Sequence, residues 1–124
     1  MTASALDRFV TPAIVLDALL DRVGAERGIS AKDFTCHLYG SYSAYMERHL
    51  RRVIEALRRN GHPVAGTPAT GYFYAATEAE LNDTCEFLYG RAMTTLTLVA
   101  AMKRVALPDL RGQLNLPVEE GEPA

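Results

Sequence analysis

The sequence predicts a mostly helical α+β domain: three helices, a short β-hairpin, and a long fourth helix. Three observations predict it. The stretch SAYMERHLRRVIEALRR, residues 43–59, repeats apolar residues at helical spacing and stops at Asn60-Gly61. Two short extended runs follow, Pro63-Val64-Ala65 and Tyr72-Phe73-Tyr74, separated by a turn containing Gly and Pro. Thr77-Glu78-Ala79-Glu80 is then a capping box, and no proline interrupts the chain after it until Pro108.

The composition suits one soluble globular domain. The 124 residues are enough to bury a core without disulfides, and 48% hydrophobic with 23% charged residues is ordinary. The first residues are polar and mixed, so no signal peptide is expected. No apolar run approaches the roughly 18 residues of a membrane span, so no membrane partner is expected. Two cysteines make no disulfide framework, and a reduced, cytoplasmic setting follows as the expectation. The net charge of −2 argues against nonspecific coating of nucleic acid. Its distribution is polar, however. Arg48, Arg51, Arg52, Arg58 and Arg59 share one helix, and seven of the fifteen carboxylates lie later, from Glu78 to Glu86 and from Glu119 to Glu122.

Each element has a local reason. Residues 1–9 offer no strong cap or period and read as a flexible N-terminal arm. In Val10-Thr11-Pro12, Thr11 caps the first helix, Pro12 fits its first position, and Val10 staples to Val15. That helix is expected to reach about Val23, with Val15, Leu19 and Val23 on one stripe, and to end at Gly24 or Gly28. Ser30 caps the second helix, with Asp33 in the capping-box position and Ile29 against Phe34. It is short, about Ala31 to Leu38, and Gly40 breaks it. Ser41 or Ser43 caps the third helix, whose buried stripe is Met46, Leu50, Val53 and Leu57, widened by Ile54. A short helix, a turn with Gly and a longer helix form the helix-turn-helix order. Gly66 to Gly71 reads as a flexible loop of about five residues. Beyond it Phe73 is expected inward, with Tyr72 and Tyr74 outward or partly so.

The fourth helix, 77–106, crowds carboxylates at its start and Lys103 and Arg104 at its end, as the helix dipole favours. Leu81, Cys85, Leu88, Ala92, Thr95, Val99, Met102 and Ala106 step by four and three, a heptad seam. Such a helix is about 42 Å long, more than the preceding domain covers. A second copy can cover the remaining seam, so a homodimer through Leu81, Cys85, Leu88, Ala92, Val99 and Met102 is expected. Residues 107–124 read as an acidic, disordered tail.

The run Arg51-Arg52-Val53-Ile54-Glu55-Ala56-Leu57-Arg58-Arg59-Asn60-Gly61-His62-Pro63-Val64, followed by Gly71-Tyr72-Phe73-Tyr74-Ala75, resembles the winged helix-turn-helix superfamily. The resemblance is greatest to small DNA-binding proteins of bacteria and bacteriophages and covers about residues 12–76. It implies three helices plus a two- or three-stranded wing hairpin over 10–76. It also implies sequence-specific binding of double-stranded DNA, by a transcriptional regulator or a phage DNA-metabolism accessory. The N-terminal part of a recognition helix enters the major groove. Ser43, Tyr45, Glu47 and Arg48 are therefore the expected base-edge residues, and Arg51 and Arg52 the phosphate contacts. Tyr42 either contacts the sugar-phosphate backbone or packs the corner, as do Tyr39 and Tyr45. Arg58 either joins the DNA contacts, supports the wing, or pairs with the acidic start of the fourth helix. Thr35 and Ser41 are small donors of the kind that meet phosphate. The tip Thr67-Pro68-Ala69-Thr70 departs from the family in lacking Lys or Arg.

Other chemistries find little in the sequence. Cys36, His37, His49 and Cys85 match no closed zinc spacing, and both cysteines read as buried thiols on apolar stripes. There is no nucleophile–base–orienter set and no phosphate loop, so neither catalysis nor a cofactor is expected. The alternative to DNA binding is a winged-helix adaptor for another protein.

Overall fold

The helix starts are set by side chains that satisfy orphan N–H groups. The computed structural model describes residues 5–104, which fall into two bodies divided after Thr84. In chain order the elements are α1 (Ala5–Phe9), α2 (Pro12–Leu20), a 3-10 turn (Ala25–Arg27), α3 (Ala31–Tyr39), α4 (Ala44–Arg59), β1 (Val64–Thr67), β2 (Gly71–Tyr74) and α5 (Glu78–Lys103). The fold is thus α+β and mostly helical, with a two-stranded antiparallel hairpin and a long C-terminal helix. Thr11 Oγ1 accepts from Ile14 N at 3.2 Å, Ser30 Oγ from Asp33 N at 3.1 Å, and Ser43 Oγ from Met46 N at 3.1 Å. At the end of α4, Gly61 N–H donates to the Arg58 carbonyl and His62 N–H to the Leu57 carbonyl, both at 3.0 Å. That reciprocal pair is the Schellman arrangement, and Gly61 supplies its positive φ of 90°.

The core of the first body lies among α2, α3, α4 and β1. Val10, Val15, Leu19, Phe34, Leu50, Ile54, Leu57 and Val64 are buried there, and the expected stripe of α4 faces it. The residues of both expected staples belong to this region: Val10, Val15 and Phe34 are in the core and Ile29 packs against it.

The hairpin corrects two expectations. Its connection is a three-residue turn, Pro68-Ala69-Thr70, because Thr67 pairs with Gly71 in register. Thr70 N–H donates to the Thr67 carbonyl at 3.2 Å, and Gly71 follows with φ 73°, the usual three-residue solution. The Thr67 N–H donates to Thr70 Oγ1 at 3.0 Å, so the tip is tied to itself. Gly71 has a second reason to be glycine: a Cβ there would overlap the Ile29 carbonyl. The facing of β2 also differs. Phe73 is buried beside its cross-strand partner Ala65, yet Tyr72 and Tyr74 are the residues that pack on the helical core. Tyr72 lies 6.3 Å from Phe34, ring centre to ring centre. Both faces of the strand are therefore covered.

The outer edge of β2 is covered as well. Tyr72 and Ile29 exchange both backbone hydrogen bonds, at 2.7 and 2.9 Å. Tyr74 N–H donates to the Arg22 carbonyl at 2.8 Å, and the Tyr74 carbonyl accepts from Gly24 N–H at 2.9 Å. This pairing explains why α2 stops at Leu20 and not near Val23. The backbone from Arg22 to Ile29 is used as an edge for β2, and Val23 leaves the buried stripe for solvent, 42% exposed.

Residues 5–9, within the stretch expected as a loose arm, form α1, with Leu6 against the core. Residues 1–4 of that arm and the acidic tail over 107–124 lie outside the described residues. α5 ends at Lys103, short of Ala106, where Arg104 turns to a left-handed φ of 55°.

The capping box at the start of α5 does more than cap. Glu80 N–H donates to Thr77 Oγ1 at 3.2 Å. The Glu80 carboxylate accepts from Ala76 N–H and, across the fold, from Ala25 N–H, each at 2.8 Å. Four residues on, Thr84 Oγ1 accepts from Gly66 N–H at 2.9 Å. These bonds tie the start of α5 to the 3-10 turn and to β1. The hydrogen bond from Ala25, then that from Ala76, hold the Glu80 carboxyl below its ordinary range. A depressed carboxylate stabilises the fold above its unfolded pKa, about 4.3, and that contribution disappears as pH falls through the folded value. Glu80→Gln is expected to lower the urea midpoint at neutral pH. The gap from wild type should close as the pH is taken below 4, measured by urea titration over that range.

Candidate nucleic-acid interface

α4 sorts its residues by side. Leu50, Val53, Ile54 and Leu57 face the core, and Arg48, Arg51, Arg52, Glu55 and Arg59 face solvent. The helix is presented by a turn whose ends are fixed. Gly40 closes α3 at a φ of 79°, its N–H donating to the Cys36 carbonyl at 3.0 Å, and Ser43 opens α4.

The expected contact residues separate into distinct groups. Tyr45 is 57% exposed, and Arg48 and Arg52 are exposed with no ion-pair partner among the described residues. Ser43 is half-buried, with its hydroxyl engaged in the cap. Glu47 is held from two sides: Tyr42 O–H donates to Oε1 at 3.0 Å, and Arg51 Nη2 donates to Oε2 at 2.9 Å. Tyr42 is therefore an exposed side chain tied to the start of α4. Its hydrogen bond to Glu47, with a smaller effect of burial, pushes its hydroxyl above its ordinary pKa. Lys32 of α3 stands over the Tyr42 ring at 5.7 Å and brings one more cation to this corner.

Arg58 is placed elsewhere. It is half-buried, and its Nε donates to the Val64 carbonyl at 2.8 Å, which joins α4 to the hairpin. That bond is the hairpin support among the three roles open to it. Arg59 lies 3.8 Å from Glu55, on the exposed side. Thr35 is fully buried and donates to the Ala31 carbonyl at 2.6 Å, so it is not a surface donor. Ser41 is exposed, with its hydroxyl 3.6 Å from the Met46 sulfur.

Tyr39 does not join Tyr42 and Tyr45 on the surface. Its hydroxyl donates to or accepts from His49 Nδ1 at 2.7 Å, and His49 Nε2 lies 2.8 Å from Asp7 Oδ1. The rings of Tyr39 and His49 meet edge to face at 5.8 Å. With Asp7 ionised, the chain is satisfied when the tyrosine O–H donates to Nδ1 and the Nε2–H donates to Asp7. One residue each from α1, α3 and α4 thus forms a polar chain that runs from the buried Tyr39 and His49 to the exposed Asp7. The sequence carries one weak sign of it: His49 borders the apolar stripe, three residues after Met46 and four before Val53. Asp7, in a stretch without pattern, carried none.

The seam residues of α5 are mostly exposed. Leu81 and Val99 are half-buried, whereas Cys85, Ala92, Leu88 at 40% and Met102 at 77% are exposed. Cys36 is exposed too, so neither cysteine is the buried thiol that its stripe suggested. The reason on α3 is angular, since Phe34, Thr35 and Tyr39 are the residues buried there and Cys36 falls outside their arc. Among the described residues no three His, Cys, Asp or Glu side chains gather to hold a metal ion, and no helix is long and apolar enough to cross a membrane.

Comparison with protein-family models, curated proteins and solved structures gave no match. The functional reading therefore stands on these residues alone.

Burial first, then the Asp7 charge, raises the Tyr39 hydroxyl from 10.0 to about 12. The stability associated with its protonated form is complete below about 10 and is lost as pH rises through about 12. Tyr39→Phe is expected to lack that alkaline step in a pH series of thermal melts. His49→Ala, which leaves the Tyr39 hydroxyl buried without its partner, is expected to cost about 1–3 kcal/mol in urea unfolding at neutral pH.

Proposed function

We propose that this chain is a winged-helix protein that binds double-stranded DNA through the exposed face of α4, and that it does so as a homodimer joined along α5. The observation that carries the reading is the row Arg48, Arg51, Arg52 and Arg59. It stands in solvent on a helix whose opposite side is locked into the core. Guanidinium groups suit phosphate and guanine because their planar donors reach two acceptors at once. Element order adds support. A short helix, a turn, a longer helix and a hairpin whose second strand is also paired with the segment between α2 and α3 is the arrangement expected of a winged helix.

In this reading Tyr45 and Arg48, at the front of α4, approach base edges. Arg52 and Lys32 contact phosphates on either side. Arg51 reaches DNA while it keeps Glu47 in place, or exchanges Glu47 for phosphate. Glu47 contributes by orienting Tyr42 and Arg51. The hairpin tip carries no charge and bonds to itself, so phosphate contact falls to the helices. Two copies joined along α5 would present two such faces to a site with two-fold symmetry.

An adaptor role is favoured by one observation, the uncharged tip of the hairpin. Tyrosine and arginine also anchor protein–protein interfaces.

Binding to a random duplex library separates the two. Arg48→Ala with Arg52→Ala is expected to abolish enrichment and to reduce the salt slope of binding by about 1, since the Arg52 phosphate contact contributes about 0.9. Unchanged affinity and slope in that variant would remove α4 as the reader. For the dimer, light scattering should give twice the chain mass, and Leu88→Glu should halve it. A wild-type protein that stays monomeric at high concentration rejects the α5 seam.

A further inference from the structure

A second cationic site lies away from α4. The C-terminal end of α2, the 3-10 turn and the outer side of α3 enclose a cleft of about 440 Å³ lined by Ala18, Asp21, Arg22, Arg27 and His37. That volume lies in the range of small-molecule sites, about 300–1,000 Å³. Neither Arg22 nor Arg27 has an ion-pair partner among the described residues. Arg22 is half-buried and oriented, because its Nη1 donates to the Arg27 carbonyl at 3.0 Å. A guanidinium has five N–H donors, so this single bond leaves most of Arg22 and all of the Arg27 fork without a protein acceptor.

The bland account is that Arg22 merely offsets the negative end of α2. It explains one arginine, not two with an imidazole in the same cleft. Asp21 shares the lining, and its carboxylate opposes a bare dianion while it suits a hydroxyl donor. We infer that the cleft binds a phosphorylated small molecule that also carries a hydroxyl group, with the phosphate held by Arg22 and Arg27 and the hydroxyl by Asp21. His37 supplies a further N–H at the edge. The site is separate from the α4 face. Lys32, beside Tyr42, and His37 are five residues apart on α3, or about 140° around the helix.

The test is an NMR titration of the isotope-labelled full chain with a ribose phosphate, inorganic phosphate, ribose and a short DNA duplex in separate arms. Ribose phosphate is expected to give saturable shifts centred on Arg22, Arg27 and His37, with ribose giving none and inorganic phosphate binding more weakly. Arg27→Gln keeps the backbone carbonyl that fixes Arg22, and is expected to weaken ribose phosphate about tenfold or more, as the loss of a charge-assisted contact implies. Asp21→Ala should erase the advantage of ribose phosphate over inorganic phosphate. Arg48→Ala with Arg52→Ala should leave all of this unchanged, so failure of the DNA reading does not decide this one. The inference is overturned if ribose phosphate gives no saturable shift, if Arg27→Gln binds it as wild type does, or if only the duplex shifts the cleft residues. Equal binding of ribose phosphate and inorganic phosphate would overturn the hydroxyl contact.

Discussion

β2 is bonded along both edges, and the rest of the first body depends on that. On one side it pairs with β1, and on the other Tyr72 and Tyr74 take up the backbone between Arg22 and Ile29. A four-residue strand in a lone hairpin is marginal in water, and a third edge supplies what the hairpin lacks. The cost falls on α2, which must end at Leu20 so that the following residues can extend. It also falls on sequence, since Gly71 must be glycine where it meets the Ile29 carbonyl. Once β2 is fixed, its tyrosines reach the helical core, its partner β1 receives Arg58 from α4, and Gly66 receives Thr84 from α5.

This anchoring determines what α4 can offer. A helix held only by its apolar stripe could roll, because dispersion contacts have no direction. Directed bonds to other elements oppose rolling: Arg58 to the hairpin at the end, and His49 in the middle, joined to α1 and α3. Buried polar chains are worth little in net stability when complete but are costly when broken, so they favour one orientation over its neighbours. The exposed arginines gain from this. Ordering a long flexible side chain costs entropy, yet the backbone that carries it is already placed. Tyr42 and Arg51 go further, since their shared carboxylate, Glu47, holds the side chains themselves.

How much of this was legible follows from the range of each interaction. Thr11, Ser30 and Thr77 are readable, and Ser43 as one of two candidates with Ser41, because a cap bonds three residues along the chain. The stripe of α4 was readable because its period is that of one helix. The end of α2 was not, since it is decided by pairing with residues some fifty positions later, and no local pattern encodes that. The same holds for Glu80: its capping role was visible, and its bond to Ala25 was not. Tyr72 and Tyr74 are half-buried on the helical core while Phe73 is also buried; alternation says that two faces differ, but not that both are covered. Cys36 and Cys85 were misjudged for a related reason, because a hydrophobic period gives an arc and not its edges. Within the candidate interface, exposure of Arg48 and Arg52 followed from the helix period. Engagement of Glu47 and withdrawal of Arg58 needed the turn and the hairpin in place.

The placement of the cations carries the last step. The chain has a net charge of −2, so a diffuse attraction for polyanions is weak, and any anion must be met by local geometry. The described arginines are arranged in that way. Arg51 and Arg59 lie near Glu47 and Glu55 on the same helix, whereas Arg48 and Arg52 between them have no such partner. Arg22 and Arg27, on another side of α3, likewise have no ion-pair partner among the described residues, although Asp21 shares their cleft. An unpaired guanidinium on an acidic protein is not needed for solubility, because added carboxylates serve that better. Two separate pairs, each on a backbone fixed by β2 or by α4's own anchors, are more economically explained as two places where an anion is received than as surface decoration.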